Sequence, residues 1–490
     1  MARLRIVLTA TSLATTVAII SLARGDDHEE KAFKAKNESG VARTINVGGF
    51  PVVASDNPFF LDLGTNGRRC VTCHQPANNM TVSAASVADR FEASDGKDPI
   101  FRPNDGANSP RADVSTREAR RRAYSMLIAK GVFRVGLPVP ANAEFVLADA
   151  ADPYGYAGRN DDGNQLSLFR RPLPSTNLAF LTAVMWDGRE TFQKGSVDAI
   201  HFDLADQSNA ATEGHAQSSA PIDQATRDQI VAYELGLRTA QVSDHAAGDL
   251  RKDGAAGGPE ALAQQVFVFG ENDPLGCDAQ AANCTGFNPL FSSIVFTEFD
   301  GWARLTGSGR NRGRSAIARG QQLFNSLPIA ITGVSGINDD FGVPVVMGTC
   351  TTCHDTAHAG NHSVPAPLDV GVVEPPVAIA DGGDGIHNRF GLPVGDLPVY
   401  TLCKIGTDCG RLGETKKVVT DPGRALITGK WKDVGRVKGP ILRGLSGRAP
   451  YFHNGAAATL DDVVNFYDAR FELELSDQQK ADLVAFLRAL

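Results

Sequence analysis

Apolar residues along this chain recur at helical spacing more often than at the alternation of a half-buried strand. From Leu460 to Phe471 they form one stripe, with Val463, Val464, Phe466 and Tyr467 on it. Residues 222–237 read as a second helix through Ile230, Val231, Tyr233, Glu234 and Leu237. The last helix opens where Ser476 and Gln479 form a capping pair, and it turns Leu483, Phe486, Leu487 and Leu490 inward. Ser115-Thr116-Arg117-Glu118 opens another over REARRRAYSMLIAKG, which Gly131 stops. Between these, residues 95–113, 148–177 and 365–422 are rich in Gly, Pro, Asp and Asn, the composition of turns. The pattern predicts a mainly α protein with long irregular loops.

Organisation follows from composition. Residues 1–23 read as a secretory signal, with Arg3 and Arg5 as the basic end, Ile6 to Leu22 as the apolar core and Ser21-Leu22-Ala23 as the cleavage site. This predicts export to the periplasm, with no membrane span once the signal is removed. Residues 26–40 follow as a solvated, mobile leader. The Gly-, Ser- and Arg-rich stretch GWARLTGSGRNRGRS, 301–315, marks a boundary between two domains, 41–305 and 306–490. The formal net charge is −8, and loss of Arg3 and Arg5 makes it more negative, which argues against nucleic acid as a partner.

Eight cysteines fall into four close pairs. Cys277/Cys284 and Cys403/Cys409 have no histidine beside them and read as disulfides of an oxidising compartment. Cys70-Val71-Thr72-Cys73-His74 and Cys350-Thr351-Thr352-Cys353-His354 are two copies of one motif. A zinc site built from four cysteines leaves both histidines unexplained, and a redox CxxC explains neither the histidines nor the repeat. Haem explains both: the thiols form thioethers and the neighbouring histidine binds the iron. Two covalently bound c-type haems are therefore expected, with His74 and His354 as axial ligands, one haem in each domain. Of five methionines none follows His354. The sixth position of the second haem is thus left to a histidine (His358, His362, His387 or His453), a tyrosine, a water or a residue of the other domain.

These motifs, Trp186-Asp187-Gly188-Arg189 and the stretch from Gly439 to Phe471 together resemble the bacterial dihaem cytochrome c peroxidases. That family includes the related enzyme that matures the tryptophylquinone cofactor of methylamine dehydrogenase. The resemblance implies a peroxidase that reduces hydrogen peroxide to water. Its electrons would come from a small periplasmic cytochrome c or copper protein, and the family allows a homodimer. It further implies that Trp186 lies between the haems, that Tyr467 is the distal ligand of the second haem, and that the first haem reacts with peroxide. Gln207 matches the family's distal glutamine, while Glu213 and His215 lie near its glutamate. His215 is favoured, because an imidazole exchanges protons near neutral pH. Calcium is doubtful: Arg170-Arg171-Pro172 and Arg448-Ala449-Pro450-Tyr451 put arginines where the family has oxygen ligands. The acidic run Asp381–Gly385 reads as a plain turn. Two rival readings stand beside this one. One is a dihaem oxidase or oxygenase of the maturation type, acting on a protein or organic substrate. The other is a dihaem electron carrier with both irons six-coordinate.

Overall fold

The computed structural model describes residues 31–156, 165–192, 197–276, 288, 290–377 and 386–490. The signal, the Cys277/Cys284 pair and the acidic run at 381–385 lie outside the described residues.

About 30% of the described structure is helix and 17% strand, which overturns the expectation of a mainly α protein. Four sheets occur among the described residues. In the first, β1 (Ala32–Asn37), β2 (Gly40–Asn46), β6 (Leu237–Asp244) and β7 (Gly248–Asp249) are antiparallel in that order. β1 begins inside the stretch expected to be a mobile leader. β2 alternates in burial, but its inward residues are Gly40, Ala42, Thr44 and Asn46. Thr44 meets the Thr239 hydroxyl at 2.8 Å, and the Asn46 amide donates to the Tyr233 carbonyl at 3.1 Å. A strand whose buried face is small and polar leaves no hydrophobic alternation to read.

β3 (Phe133–Pro138) pairs with β5 (Gln165–Arg170). β4 (Phe145–Ala151) pairs with β10 (Val399–Lys404), which carries β11 (Lys416–Val419) on its other edge. The stretches 148–177 and 365–422, expected to be loops, thus supply sheet, and the β4–β10 ladder joins residues from both sides of position 305. The buried Tyr400 hydroxyl locks the two sheets together, donating to the Ser167 carbonyl at 2.8 Å and accepting from its N–H at 2.9 Å. A fourth pair, β8 (Ile329–Thr332) with β9 (Val345–Gly348), flanks the second motif. Cys403 and Cys409 form the expected disulfide.

Among the helices, α1 (Cys70–Cys73) is one turn and α2 (Ala84–Ser94) follows it. The helix expected from Ser115 begins one residue later. Thr116 is its N-cap, and the helix breaks at Tyr124 into α3 (Arg117–Ala123) and α4 (Ser125–Lys130) before Gly131 ends it in the left-handed region. α5 (Val197–Gly214) packs on α6 (Gln224–Gly236). Beyond the single turn α7 (Pro259–Leu262), α8 (Arg310–Ser326) starts within the expected linker. After α9 (Ala425–Thr428), α10 (Leu460–Phe471) and α11 (Asp477–Ala489) match the sequence pattern, and Ser476 and Gln479 form their capping box. α8 crosses α11 at Gly320, where a Cβ would lie 1.9 Å from the Asp482 carbonyl oxygen, so only glycine permits the approach. Phe296, Phe299, Trp302, Phe324 and Phe486 fill the core around this crossing. Among the described residues no helix is long and apolar enough to cross a membrane.

The end of β5 carries the main ionic knot. The buried Arg170 guanidinium bonds Asp187 and spans both carboxylate oxygens of Asp421 at 2.7 and 2.9 Å. Burial pushes both carboxyls up, but Arg170 outweighs it and holds them below the usual aspartate range. Because the folded values lie below the unfolded value of about 3.9, the stabilisation is present above that pH and is lost as pH falls through the folded values. Urea unfolding between pH 7 and pH 3 should therefore show stability falling most steeply below about pH 4. Arg170→Gln should cost about 3–5 kcal/mol at pH 7, since it strips the buried Asp421 of its guanidinium and leaves the buried Asp187 to Arg189 alone, and should flatten the acid limb. Equal acid limbs in the two proteins would contradict this assignment.

Candidate functional site

The two Cys-x-x-Cys-His motifs share two hydrogen bonds, although the first is an α-helical turn and the second, Cys350–Thr352, a 3-10 turn. In each, the threonine before the second cysteine turns its hydroxyl back to the residue before the first: Thr72 Oγ1 accepts from Arg69 N–H and Thr352 Oγ1 from Thr349 N–H, both at 2.9 Å. Each histidine places Nδ1 on the carbonyl six residues further on, His74 on Met80 at 3.2 Å and His354 on Gly360 at 2.6 Å. With Nδ1 as the donor, Nε2 keeps its lone pair, the state a metal-binding imidazole needs. The surrounding protein pushes His74 down to about 4 and lowers His354 as well, so both rings are neutral at pH 7.

The four motif cysteines are free. Burial pushes Cys70, Cys350 and Cys353 up to about 12 and Cys73 up to about 11. A redox-active pair or a zinc site calls for stabilised thiolates, and these walls do the opposite. No cluster of three or more His, Cys, Asp or Glu side chains suited to a metal occurs among the described residues.

Cys70, Cys73 and His74 open onto a cavity of about 200 Å³ walled by Leu178, Leu181, Val184 and Leu204. Trp186, Gln207 and His215 line the same cavity. Gln207 lies on α5 and His215 follows its last residue. Glu213 is exposed, accepts a hydrogen bond from Asn209 at 3.4 Å, and does not line the cavity. The His215 ring is gripped by Asp105, a residue that no pattern in the sequence singles out. Asp105 Oδ2 lies 2.5 Å from His215 Nδ1, and Asp105 Oδ1 lies 2.5 Å from Arg68 Nη1. Burial raises the Asp105 carboxyl, but His215 and Arg68 outweigh it and hold it below the usual range.

Among the described residues the wall presents seven lysine and arginine side chains against a single carboxyl, that of Glu234, which burial pushes up to about 7. Three of those cations, Arg171, Lys438 and Arg448, are buried without a carboxylate partner among the described residues. Burial alone drives Lys438 down to about 7, and it is the main cause lowering Arg171 to about 10 and Arg448 to about 9. Arg448 Nε and Nη2 are buried with no hydrogen-bond partner. An apolar slot edged by unanswered cations fits haem, a flat apolar ring with two propionates on one edge. Arg171 meanwhile donates to the carbonyls of Val82, Lys130 and Arg448 at 2.6–2.8 Å.

Trp186 is buried, donates from Nε1 to the Arg171 carbonyl at 2.8 Å, and its carbonyl accepts from Lys438 N–H at 2.8 Å. Lys438 also lines a small second cavity with His362 and Gly439, on the side of the second motif. At that motif Tyr467 packs among Phe452, Phe466 and Phe471. Its hydroxyl makes no hydrogen bond among the described residues. Burial, then the nearby Cys353 and Cys350, raise its pKa. Of the other candidate ligands, His358 faces Glu298 at 3.3 Å and His453 faces Asp421 at 3.7 Å. His362 is buried beside His354, which adds to burial in pushing it down to about 3.

Paired turns of this kind, one of them on an apolar cavity edged by cations, suit haem attachment, and the chain is similar to proteins named cytochrome-c peroxidase. The chain is 41% identical over 244 residues to cytochrome-c peroxidase IdrP1 of Denitromonas iodatirespirans, covering 47% of this chain and 54% of that protein. It is 30% identical over 159 residues to cytochrome-c peroxidase IdrP2 of the same organism, covering 31% and 38%. The chain therefore spans about half, or less, of the length of the curated relatives it matches. No family model matches it. A solved structure of a MauG-like protein associated with microbial copper homeostasis shares 17% identity, covering 66% of this chain and 76% of that one. Its TM-score of 0.27 is too low to bear on the fold. These likenesses support the resemblance to the dihaem cytochrome c peroxidases.

The shared threonine bond makes a specific expectation. Thr72→Val and Thr352→Val should each cost about 1 kcal/mol, as loss of a capping hydroxyl does. Each should also lower the haem bound per chain, read from pyridine haemochrome absorbance alongside the thermal midpoint. Full haem content and an unchanged midpoint in both variants would show that the threonines only fill space.

Proposed function

We propose that this chain is an exported dihaem c-type cytochrome that reduces hydrogen peroxide to water with electrons from a small redox protein. Residues 41–305 would carry the peroxide-reacting haem on Cys70, Cys73 and His74. Residues 306–490 would carry the electron-receiving one on Cys350, Cys353 and His354. The observation that carries this reading is that one apolar cavity holds His74, with Nε2 available, together with Gln207 and His215 from α5 and its end. Two polar side chains able to handle protons and hydrogen-bond an oxygen are what a peroxide site needs, and a pure electron carrier has no use for them.

When bound, haem supplies the centre at which the O–O bond breaks and to which two electrons are delivered. The chain's own residues would do the rest. His215 takes a proton from one peroxide oxygen and returns it to the other, so that each oxygen leaves as water once two protons and two electrons have been consumed. The Gln207 amide hydrogen-bonds the oxygen and orients it. Arg171, Lys438 and Arg448 hold the propionates. Trp186, whose backbone abuts Lys438, offers an aromatic step for electrons between the two haem sites.

The free Tyr467 hydroxyl beside Cys350 and Cys353 favours a second reading, an oxidase in which Tyr467 would help hold the second haem and the substrate would be a protein or an organic molecule. Stopped-flow absorption separates the two. Half-reduced protein mixed with peroxide and then with a reduced small cytochrome c should oxidise that cytochrome rapidly over many turnovers. A fast spectral change that leaves the donor reduced would instead favour the oxidase.

Calcium should have no role at the Arg171 position, because the Arg448 carbonyl already accepts from that guanidinium. Neither calcium nor a chelator should move the thermal midpoint or the turnover of the holoprotein. A midpoint that rises with added calcium would refute this.

A further inference from the structure

Resting on the peroxidase reading, we infer that Asp105 is a positioning residue for proton transfer, acting through His215. Three groups converge on that histidine. Asp105 Oδ2 meets Nδ1 at 2.5 Å, Asn66 Nδ2 donates to the His215 carbonyl at 2.8 Å, and Arg68 Nη1 reaches the same carbonyl at 3.3 Å. The ring itself is 45% exposed, whereas the Asp105 side chain is only 8% exposed and that of Arg68 2%. An exposed imidazole needs no buried partner for its own solvation. A carboxylate kept out of water and aimed at Nδ1 therefore points to control of the ring.

The chemistry follows from the pairing. With Nδ1–H donated to Asp105, the tautomer is set and Nε2 carries the lone pair into the cavity wall. Proton uptake at Nε2 creates an imidazolium whose charge Asp105 answers at contact distance. Arg68 anchors Asp105 through its other oxygen, and it is itself fixed by the carbonyls of Pro99 and Ile100 at 2.9 and 2.7 Å. In one turnover Nε2 removes the proton from one peroxide oxygen and returns it to the other as the O–O bond breaks. Two electrons come from the redox-protein donor and two further protons from solvent, giving two waters. Arg68 lies two residues before Cys70, so the segment that attaches the haem also sets the geometry of the proton-transfer group.

The test uses the mature holoprotein, with haem content, spectrum and thermal midpoint recorded for each variant. Asp105→Asn removes the charge and offers an amide that can also donate, which frees the tautomer. It should slow the peroxide reaction of the half-reduced protein by about 10- to 100-fold, the usual effect of losing such a partner, with haem content unchanged. Asp105→Glu should recover part of the rate. Combining Asp105→Asn with His215→Gln should be no slower than His215→Gln alone, because the aspartate acts only through the histidine. A rate within twofold of wild type, or a loss that adds to that of His215→Gln, overturns the inference. Should Asp105→Asn fail to fold, Asp105→Glu decides: a slower peroxide step at full haem content supports the inference, and an unchanged rate overturns it. Cyanide capture separates this from failure of the peroxidase reading, since HCN must lose a proton on binding. If wild type does not turn over peroxide but both variants slow cyanide capture, the peroxidase reading fails and the pair stands. If cyanide capture is unmoved as well, the pair falls too.

Discussion

The structure hangs on the alternation of two adjacent arginines at the end of β5. Successive side chains of a strand point to opposite faces, so Arg170 and Arg171 reach in different directions from one stretch of backbone. Arg170 finds the carboxylates of Asp187 and Asp421, which stand 17 and 251 residues away in sequence. Arg171 finds the carbonyls of Val82, Lys130 and Arg448. Between them they tie the segment before α2, the end of α4, the Trp186 turn and the C-terminal third of the chain to one point. A buried guanidinium stripped of its partners is strongly destabilising, so these segments hold their mutual positions or the fold fails. Trp186 inherits its place from the knot twice, through Asp187 next to it in sequence and through the Arg171 carbonyl that accepts its indole N–H.

That arrangement explains which parts of the molecule were legible in the sequence. The Cys-x-x-Cys-His motifs were plain because their pattern is local, five residues repeated. Helices α6, α10 and α11 were legible because a stripe and a cap suffice to specify them. Even the bonding threonines had a signal, a threonine before the second cysteine in both copies, although nothing marked it as structural. The sheets were hidden for a physical reason. β2 buries Thr44 and Asn46, β6 buries both of its faces, and β4 has its partner about 250 residues away, so neither alternation nor proximity betrays them.

The site divides along the same line. Gln207 and His215 reach the cavity, and Glu213, two residues from His215, faces outward because α5 ends between them at Gly214. A helix terminus redirects the chain in a way that residue spacing does not foretell. Asp105 sits in a stretch whose composition says only that it turns, and its partner lies 110 residues away. Contacts of this kind are set by the fold as a whole, and the residue that orients a reactive group is commonly one of them.

Charge gives the last link. The chain as a whole is acidic, at −8, yet its cavity collects Arg171, Lys438 and Arg448 with no carboxylate paired to them among the described residues. Burying cations in this way costs free energy unless an anion arrives, and burial has accordingly pushed all three below their ordinary values. Behind the cavity wall, on the His215 side, Asp105 is held between the Arg68 guanidinium and the His215 ring. The wall is thus sorted into an edge of buried cations and an edge that carries Gln207 and His215, with His74 opening onto the apolar floor they share. A haem bearing propionates would balance the first edge on binding and leave the second free to act on whatever reached the iron.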